Sequence, residues 1–278
     1  MLRSMGDEMK IMGIDFTSAP SKQKKLTCMH CTLETSILRA GSREKWTDFT
    51  AFEATLQKPG PWIAGIDFPF GQARIFIKNI GWPDYWTGYV AHAESLGREG
   101  FCKALNDYKE PRRKGDKEHR RATDKAASSI SPQKLYGIPV GKMFFEGAPR
   151  LLKVGVTIPL LNSGDAERIV VEAYPGILVR QLVGRQSYKS DTPKNQTPAQ
   201  REARVGIIDK ILGGELEEKY GLRVEVELKL ADDPTGDSLD ALLCAIQAAR
   251  AWKQRENNYG APLGTDPLEG WIADPTLC

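Results

Sequence analysis

Residues 11–20 read IMGIDFTSAP: a short apolar run that ends in an acid and passes straight into the turn-forming Thr17, Ser18, Ala19 and Pro20. A continuous apolar run of this length, bounded by turn residues, reads as a buried strand, and Asp15 stands at its C-terminal tip. Working outward, residues 26–38 (LTCMHCTLETSIL) alternate loosely around a polar middle, as two further strands of a hairpin do, although no Asn-Gly or Asp-Gly fixes the turn. Residues 47–57 place Phe49, Ala51, Phe52 and Leu56 near helical spacing behind Thr47 as the cap, and Pro59-Gly60-Pro61 ends that helix. Residues 62–70 (WIAGIDFPF) repeat the opening pattern and deliver a second acid, Asp67. The order is strand, hairpin, helix, strand.

Between residues 71 and 165 the periodicity changes. Trp86 to Leu105 reads as one or two helices, residues 109–125 are highly charged, and residues 139–152 (PVGKMFFEGAPRLL) form an apolar stretch broken by Gly and Pro. This segment is read as a large, mainly helical insertion into a core of residues 10–70 and 166–255. The core resumes with RIVVEAY (168–174), a third acid-bearing strand carrying Glu172, and the helix ILVRQLV (177–183). A polar linker (189–199) leads to the helix REARVGIIDKIL, then to VEVELKL, a strand or an acid-striped helix end. Residues 238–252 (SLDALLCAIQAARAW) are strongly amphipathic, with Asp237 a fitting N-cap and Asp240 on the first turn. In the tail, residues 256–278, Trp271 and Ile272 suggest packing against the body.

A chain of 278 residues with 41% hydrophobic and 27% charged side chains is ordinary globular composition, and one elaborated α/β domain accounts for it. The net charge of +3 excludes a histone-like basic coat. No run approaches the ~20 apolar residues of a spanning helix, and the first ten residues hold no signal-peptide core, so a cytoplasmic protein without a membrane partner is expected. Five cysteines, Cys28, Cys31, Cys102, Cys244 and Cys278, are too few and too scattered for a disulfide framework. The run Cys28-Met29-His30-Cys31 lacks the second pair a zinc site needs and is better read as hairpin.

The chemistry lies in the acids. Asp15, Asp67 and Glu172 each end a strand, and Asp237 and Asp240, three apart, share a helix face. Ligands collect at the carboxyl ends of parallel strands. Carboxylates gathered there raise one another's pKa and oppose folding, a conflict that a divalent cation resolves. All-oxygen ligation suits Mg²⁺ or Mn²⁺, and the chemistry such a site supports is phosphodiester hydrolysis. Taken singly, each acid has a plainer reading: Asp237 as a helix cap, Asp240 as a complement to the helix dipole, Glu172 as a satisfied edge residue.

GIDFTSAP, WIAGIDFPFG, VVEAYPG and GDSLDALLCAIQAA, in this order, resemble the domain of unknown function 429 family, regarded as predicted nucleases of RNase H-like fold. GWPDYW, HRRATD, SPQKLYGIPVGKMFFEGAPRLL and EGWI extend the resemblance over nearly the whole chain. It implies an RNase H-like core: a mixed five-stranded sheet flanked by helices, three antiparallel strands, a helix, two parallel strands and a closing helix. It assigns metal binding to Asp15, Asp67, Asp237 and Asp240, with Asp15, Asp67 and Asp240 catalytic, and Glu172 is an addition peculiar to the family. The sequence departs from junction-resolving relatives in having Phe16-Thr17-Ser18 after the first acid, where they carry Gly, and the shorter Asp67 in place of Glu.

Residues 109–125 carry a net +4, more than the whole chain's excess, and are either a solvated loop or a surface that contacts phosphates. Arg120 and Arg121 are the substrate-binding candidates there, and Thr17 and Ser18, directly behind Asp15, are two more. Lys142 in PVGKM either faces the site or caps a turn. His119 in the charged run is a surface residue or a phosphate contact. The leading expectation is a metal-dependent nuclease acting on DNA or RNA. The alternatives are a nucleic-acid-binding module with a structural cation and an actin-like ATP-dependent phosphotransferase. Against the last, its two phosphate loops lie farther apart than the MGIDFTSAP and AGIDFPFGQ echo, and no G-x-x-x-x-G-K-[ST] run is present. Oligomeric state is not written in the chain.

Overall fold

The apolar run ending at Asp15 forms β1 (Met9–Asp15), the middle of a mixed sheet in the computed structural model, which describes residues 8–277. The hairpin follows as β2 (Leu26–Glu34) and β3 (Ile37–Trp46), joined through Thr35 at φ 56°. Both pairings, β1 with β2 and β2 with β3, are antiparallel. Helix α1 (Phe49–Leu56) is capped by Asp48, not Thr47: the Asp48 carboxylate accepts from the Thr50 N–H at 2.8 Å, and a carboxylate at this position also complements the helix dipole.

Strand β4 (Trp62–Ile66) lies parallel to β1, and the Asp67 N–H donates to Ile14 O at 3.0 Å, so the ladder carries the acid to the tip of β1. The expected insertion folds into α2 (Arg74–Ile80), α3 (Trp86–Ser95), α4 (Gly97–Lys109), the short α5 (Ala122–Ala126) and α6 (Val140–Val154). The stretch expected to be broken by Gly and Pro is one continuous helix, α6, with Pro149 inside it. Its apolar side packs against α3 and α4 within the core on that side of the sheet, and Gly147 faces the Phe68 ring so closely that a Cβ there would lie 2.3 Å from it. Packing outweighs the local cost of the proline.

Two strands exceed the five expected. The short β5 (Val156–Thr157) extends one edge beside β6 (Asp165–Glu172), and β7 (Arg223–Glu225), out of VEVELKL, extends the other beside β3. The sheet order is β5-β6-β4-β1-β2-β3-β7, with β4 and β6 parallel. Helices α7 (Pro175–Val183), α8 (Pro198–Leu212), α9 (Glu217–Tyr220) and α10 (Asp237–Lys253) precede a tail in which Trp271 and Ile272 are buried. The N-cap of α10 is Gly236, at φ 72°; Asp237 is the first helical residue.

Side chains alternate across the sheet, so each strand feeds two cores. Met12, Ile14, Ala64, Ile66 and Val170 pack with α1, α2, α3, α4 and α6, whereas Ile11, Ile63, Ile169 and Val171 pack with α7, α8 and α10. Among the described residues no helix is long and apolar enough to cross a membrane, and Cys28, Cys31, Cys102 and Cys244 are free thiols. The first seven residues, read for a signal peptide, and Cys278 lie outside the described residues.

Candidate functional site

Helix α10 reaches the sheet because two glycines make room for it. Gly13 and Gly65 are register partners on β1 and β4. A Cβ on Gly13 would stand 1.9 Å from Ala241 O, and one on Gly65 2.3 Å from Cys244 O. Asp15 and Asp67 each lie two residues beyond one of these glycines and so project to the same face, toward the first turn of α10. Asp240, on that turn, is 1% exposed, and Asp15 is 5% exposed. The three acids line one cavity of about 530 Å³, together with Thr17, Ser18, Lys24, Glu172 and Lys189.

The acids are not equivalent. Asp240 is engaged on both oxygens: Tyr188 donates its hydroxyl to Oδ1 at 2.7 Å, and Lys189 Nζ is ion-paired with Oδ2. Asp237 is paired with Lys24 at 2.8 Å, which also holds the exposed Asp191 at 2.9 Å. Glu172 belongs to the other face of the sheet, in phase with Val170. There Arg121 grips it with two nitrogens, at 2.7 and 2.5 Å, and grips Asp124 as well; the Phe70 N–H adds a bond at 2.8 Å. Asp15 Oδ2, by contrast, is buried with no hydrogen-bond partner, and Asp67, partly accessible to the cavity, forms no side-chain hydrogen bond or ion pair among the described residues.

The electrostatics follow. Burial pushes Asp15 well above the ordinary carboxylate range; Lys189 opposes the shift, and Asp240 and Asp237 add to it. Burial, with Asp240 nearby, pushes Asp67 up to about 7. Glu172 is also raised by burial, against the pull of Arg121. Burial disfavours the charge on Lys189, yet Asp240, Tyr188 and Asp15 outweigh it and hold the ammonium charged. The same contest, won by Asp124 and Glu172, holds Arg121 charged.

Five acids were expected to converge on one cation. Among the described residues no three His, Cys, Asp or Glu side chains are placed to hold a single metal ion. Three of the acids already carry cationic side chains, and strand parity sends Glu172 to the opposite face. Arg121, at 1% exposure, is a buried cross-link, while Arg120 is exposed on the loop and Lys142 does not line the cavity. His119 faces Tyr108, its Nε2 2.7 Å from the hydroxyl. The structure adds Lys24, Tyr188 and Lys189, none of which stands out by residue type or spacing in the sequence. Their only signal was position: Lys24 lies in the turn after β1, and Lys189 opens the linker before α8.

A mixed sheet with helices on both faces and a carboxylate-lined cavity where its central parallel strands end defines an α/β protein with an acidic pocket. Over residues 13–262 the chain matches the family model described as protein of unknown function (DUF429), and it belongs to that family. No curated protein and no solved structure matches the chain.

Proposed function

We propose that this protein is a divalent-cation-dependent nuclease on an RNase H-like core. The strand order β3-β2-β1-β4-β6, antiparallel then parallel, supports that core, with β5 and β7 as outer additions. The observation that carries the reading is the unpartnered Oδ2 of Asp15 beside the unpartnered Asp67 on the next strand tip. A buried carboxylate oxygen without a donor is costly and calls for a cation or a proton. This donor set fits Mg²⁺ or Mn²⁺: Asp15 and Asp67 would hold the ion, with Asp240 joining once Lys189 withdraws. A bound ion would polarise a phosphoryl oxygen and lower the pKa of water.

The chain's own groups supply the rest. Lys24 and Lys189 stand at the cavity wall, where ammonium groups can meet non-bridging phosphate oxygens. Thr17 and Ser18 follow Asp15 in the same wall. Glu172 and Asp237, occupied by Arg121 and Lys24, shape the site instead of opening it. Within residues 109–125, Arg113, Lys114, Lys117, Arg120 and Lys125 are exposed and form no ion pair among the described residues, which leaves them free to meet phosphates.

A Mn²⁺-supported cleavage panel over duplex, junction, hybrid and single-stranded substrates tests the reading. Cleavage should be lost in Asp15→Asn and Asp240→Asn. A folded wild type that cuts nothing with any divalent metal overturns it. The Lys24 and Lys189 ion pairs, which already neutralise two of the acids, favour one second reading: a nucleic-acid-binding module without hydrolysis.

A further inference from the structure

The cavity is chemically mixed. Its lining holds an ionic set, Asp15, Asp67, Asp240, Lys24 and Lys189, and an apolar set, Ile130, Ile138, Pro139, Met143 and Tyr174, with the mutually neutralised Arg121, Asp124 and Glu172 beside them. At the rim, Ile130 is 38% and Ile138 65% exposed, a poor use of large aliphatic side chains unless something covers them. The segment that bears them is anchored. Gln72 Nε2 donates to Pro132 O at 3.2 Å, Lys109 Nζ to Gln133 O at 2.6 Å, and the Gly141 N–H to Lys134 O at 2.8 Å. The apolar rim is thus a fixed feature of the insertion, held beside the acids.

We propose that this apolar wall receives an unpaired nucleobase, so that the site takes single-stranded nucleic acid with one nucleotide turned into the cavity. The inference rests on the nuclease reading. The ionic set suits a backbone phosphate once a cation neutralises Asp15 and Asp67, and the apolar wall suits the flat face of a base. A volume of about 530 Å³ is within the range of small-molecule pockets. A duplex keeps its bases stacked inward and offers only its backbone, so it leaves the wall bare. Asp15 and Asp240 are recessed below the rim, within reach of an inserted nucleotide but not of a convex duplex surface. Stacking on an apolar or aromatic wall is tolerant of base identity, so no strong sequence preference accompanies it.

The test is fluorescence anisotropy in millimolar Ca²⁺, a hard, oxygen-seeking cation. The probes are labelled oligothymidylate and oligouridylate of about twelve nucleotides, an abasic strand of equal length, and the matching duplex. Single strands should bind about tenfold or more tightly than the duplex and the abasic strand, the scale of one stacked base. Ile138→Asp, at an exposed position that should not disturb folding, should erase that difference. Tyr174→Ala should reduce it. Equal affinity for single strand and duplex, or an unchanged preference in Ile138→Asp, overturns the base-binding wall and leaves the nuclease reading standing. Absence of binding to every probe, together with a blank Mn²⁺ cleavage panel, overturns both.

Discussion

Gly13 and Gly65 lie side by side on β1 and β4, and the backbone of α10 occupies the space their missing side chains leave. This contact sets how near Asp240 comes to Asp15. In Gly13→Ala the new methyl would meet Ala241 O, a backbone atom that moves only if the helix moves. The expected loss is about 3 kcal/mol by urea denaturation, the upper end of overpacking costs. A variant as stable as wild type would show that α10 does not sit against this pair.

Arg121 is shared by two buried acids, Asp124 and Glu172. Removing it in Arg121→Met strands both, and about 3–5 kcal/mol of stability should go with it. The triple change with Asp124→Asn and Glu172→Gln should recover part of that loss, because uncharged amides need no counter-ion. Chemical denaturation of the two variants decides the point; equal losses would argue against mutual neutralisation.

The Asp67 carboxyl titrates near 7 in the folded protein, above its ordinary value of 3.8, so the native state binds the proton more tightly than the unfolded chain does. The stability this proton confers is complete below about pH 4 and is lost as pH rises through 7; Asp15, raised for the same reason, acts in the same direction. Asp67→Asn should therefore be more stable than the parent at pH 8 and level with it near pH 4. Midpoints measured across that range would be parallel if Asp67 were solvated.

Millimolar Mg²⁺ or Mn²⁺ should raise the melting temperature, and Asp15→Asn should abolish the gain. Lys189 is the cation's resident rival at Asp240. Lys189→Met should melt lower in chelator, since it leaves a buried carboxylate unpaired, yet gain more from added metal than wild type does. A smaller metal response in Lys189→Met would mean that the lysine does not compete for the site.

Charge reversal at Lys117 and Arg120, both exposed, should weaken nucleic-acid binding and lower the slope of log affinity against log salt by about 0.9 for each phosphate no longer neutralised. An unchanged slope would show that the loop is not the docking surface. Arg121 is unsuitable for that test because its charge is consumed inside the protein.

Much of this architecture was readable in advance because it rests on local patterns. The two apolar runs ending in Asp15 and Asp67, the amphipathic helix that starts with Asp237 and the acid-bearing strand at Glu172 are each governed by spacing along the chain. Elements that depend on distant partners are less legible in the sequence. The strand β7 is three residues long and pairs with β3, and α6 stays helical through Pro149 because α3 and α4 pack against it.

For the site, the amino-acid sequence by itself determined which acids reach the ends of the central strands and that a late helix brings two more. Only the tertiary structure decided their states: Asp15 and Asp67 left without partners, Asp237 and Asp240 bound by Lys24 and Lys189, Glu172 turned to the far face and held by Arg121. The division is physical. Strand tips and helix turns follow from residue spacing, whereas the pairing of a buried charge depends on which remote side chain folds back to it, and Lys189 reaches Asp240 across 51 residues of chain.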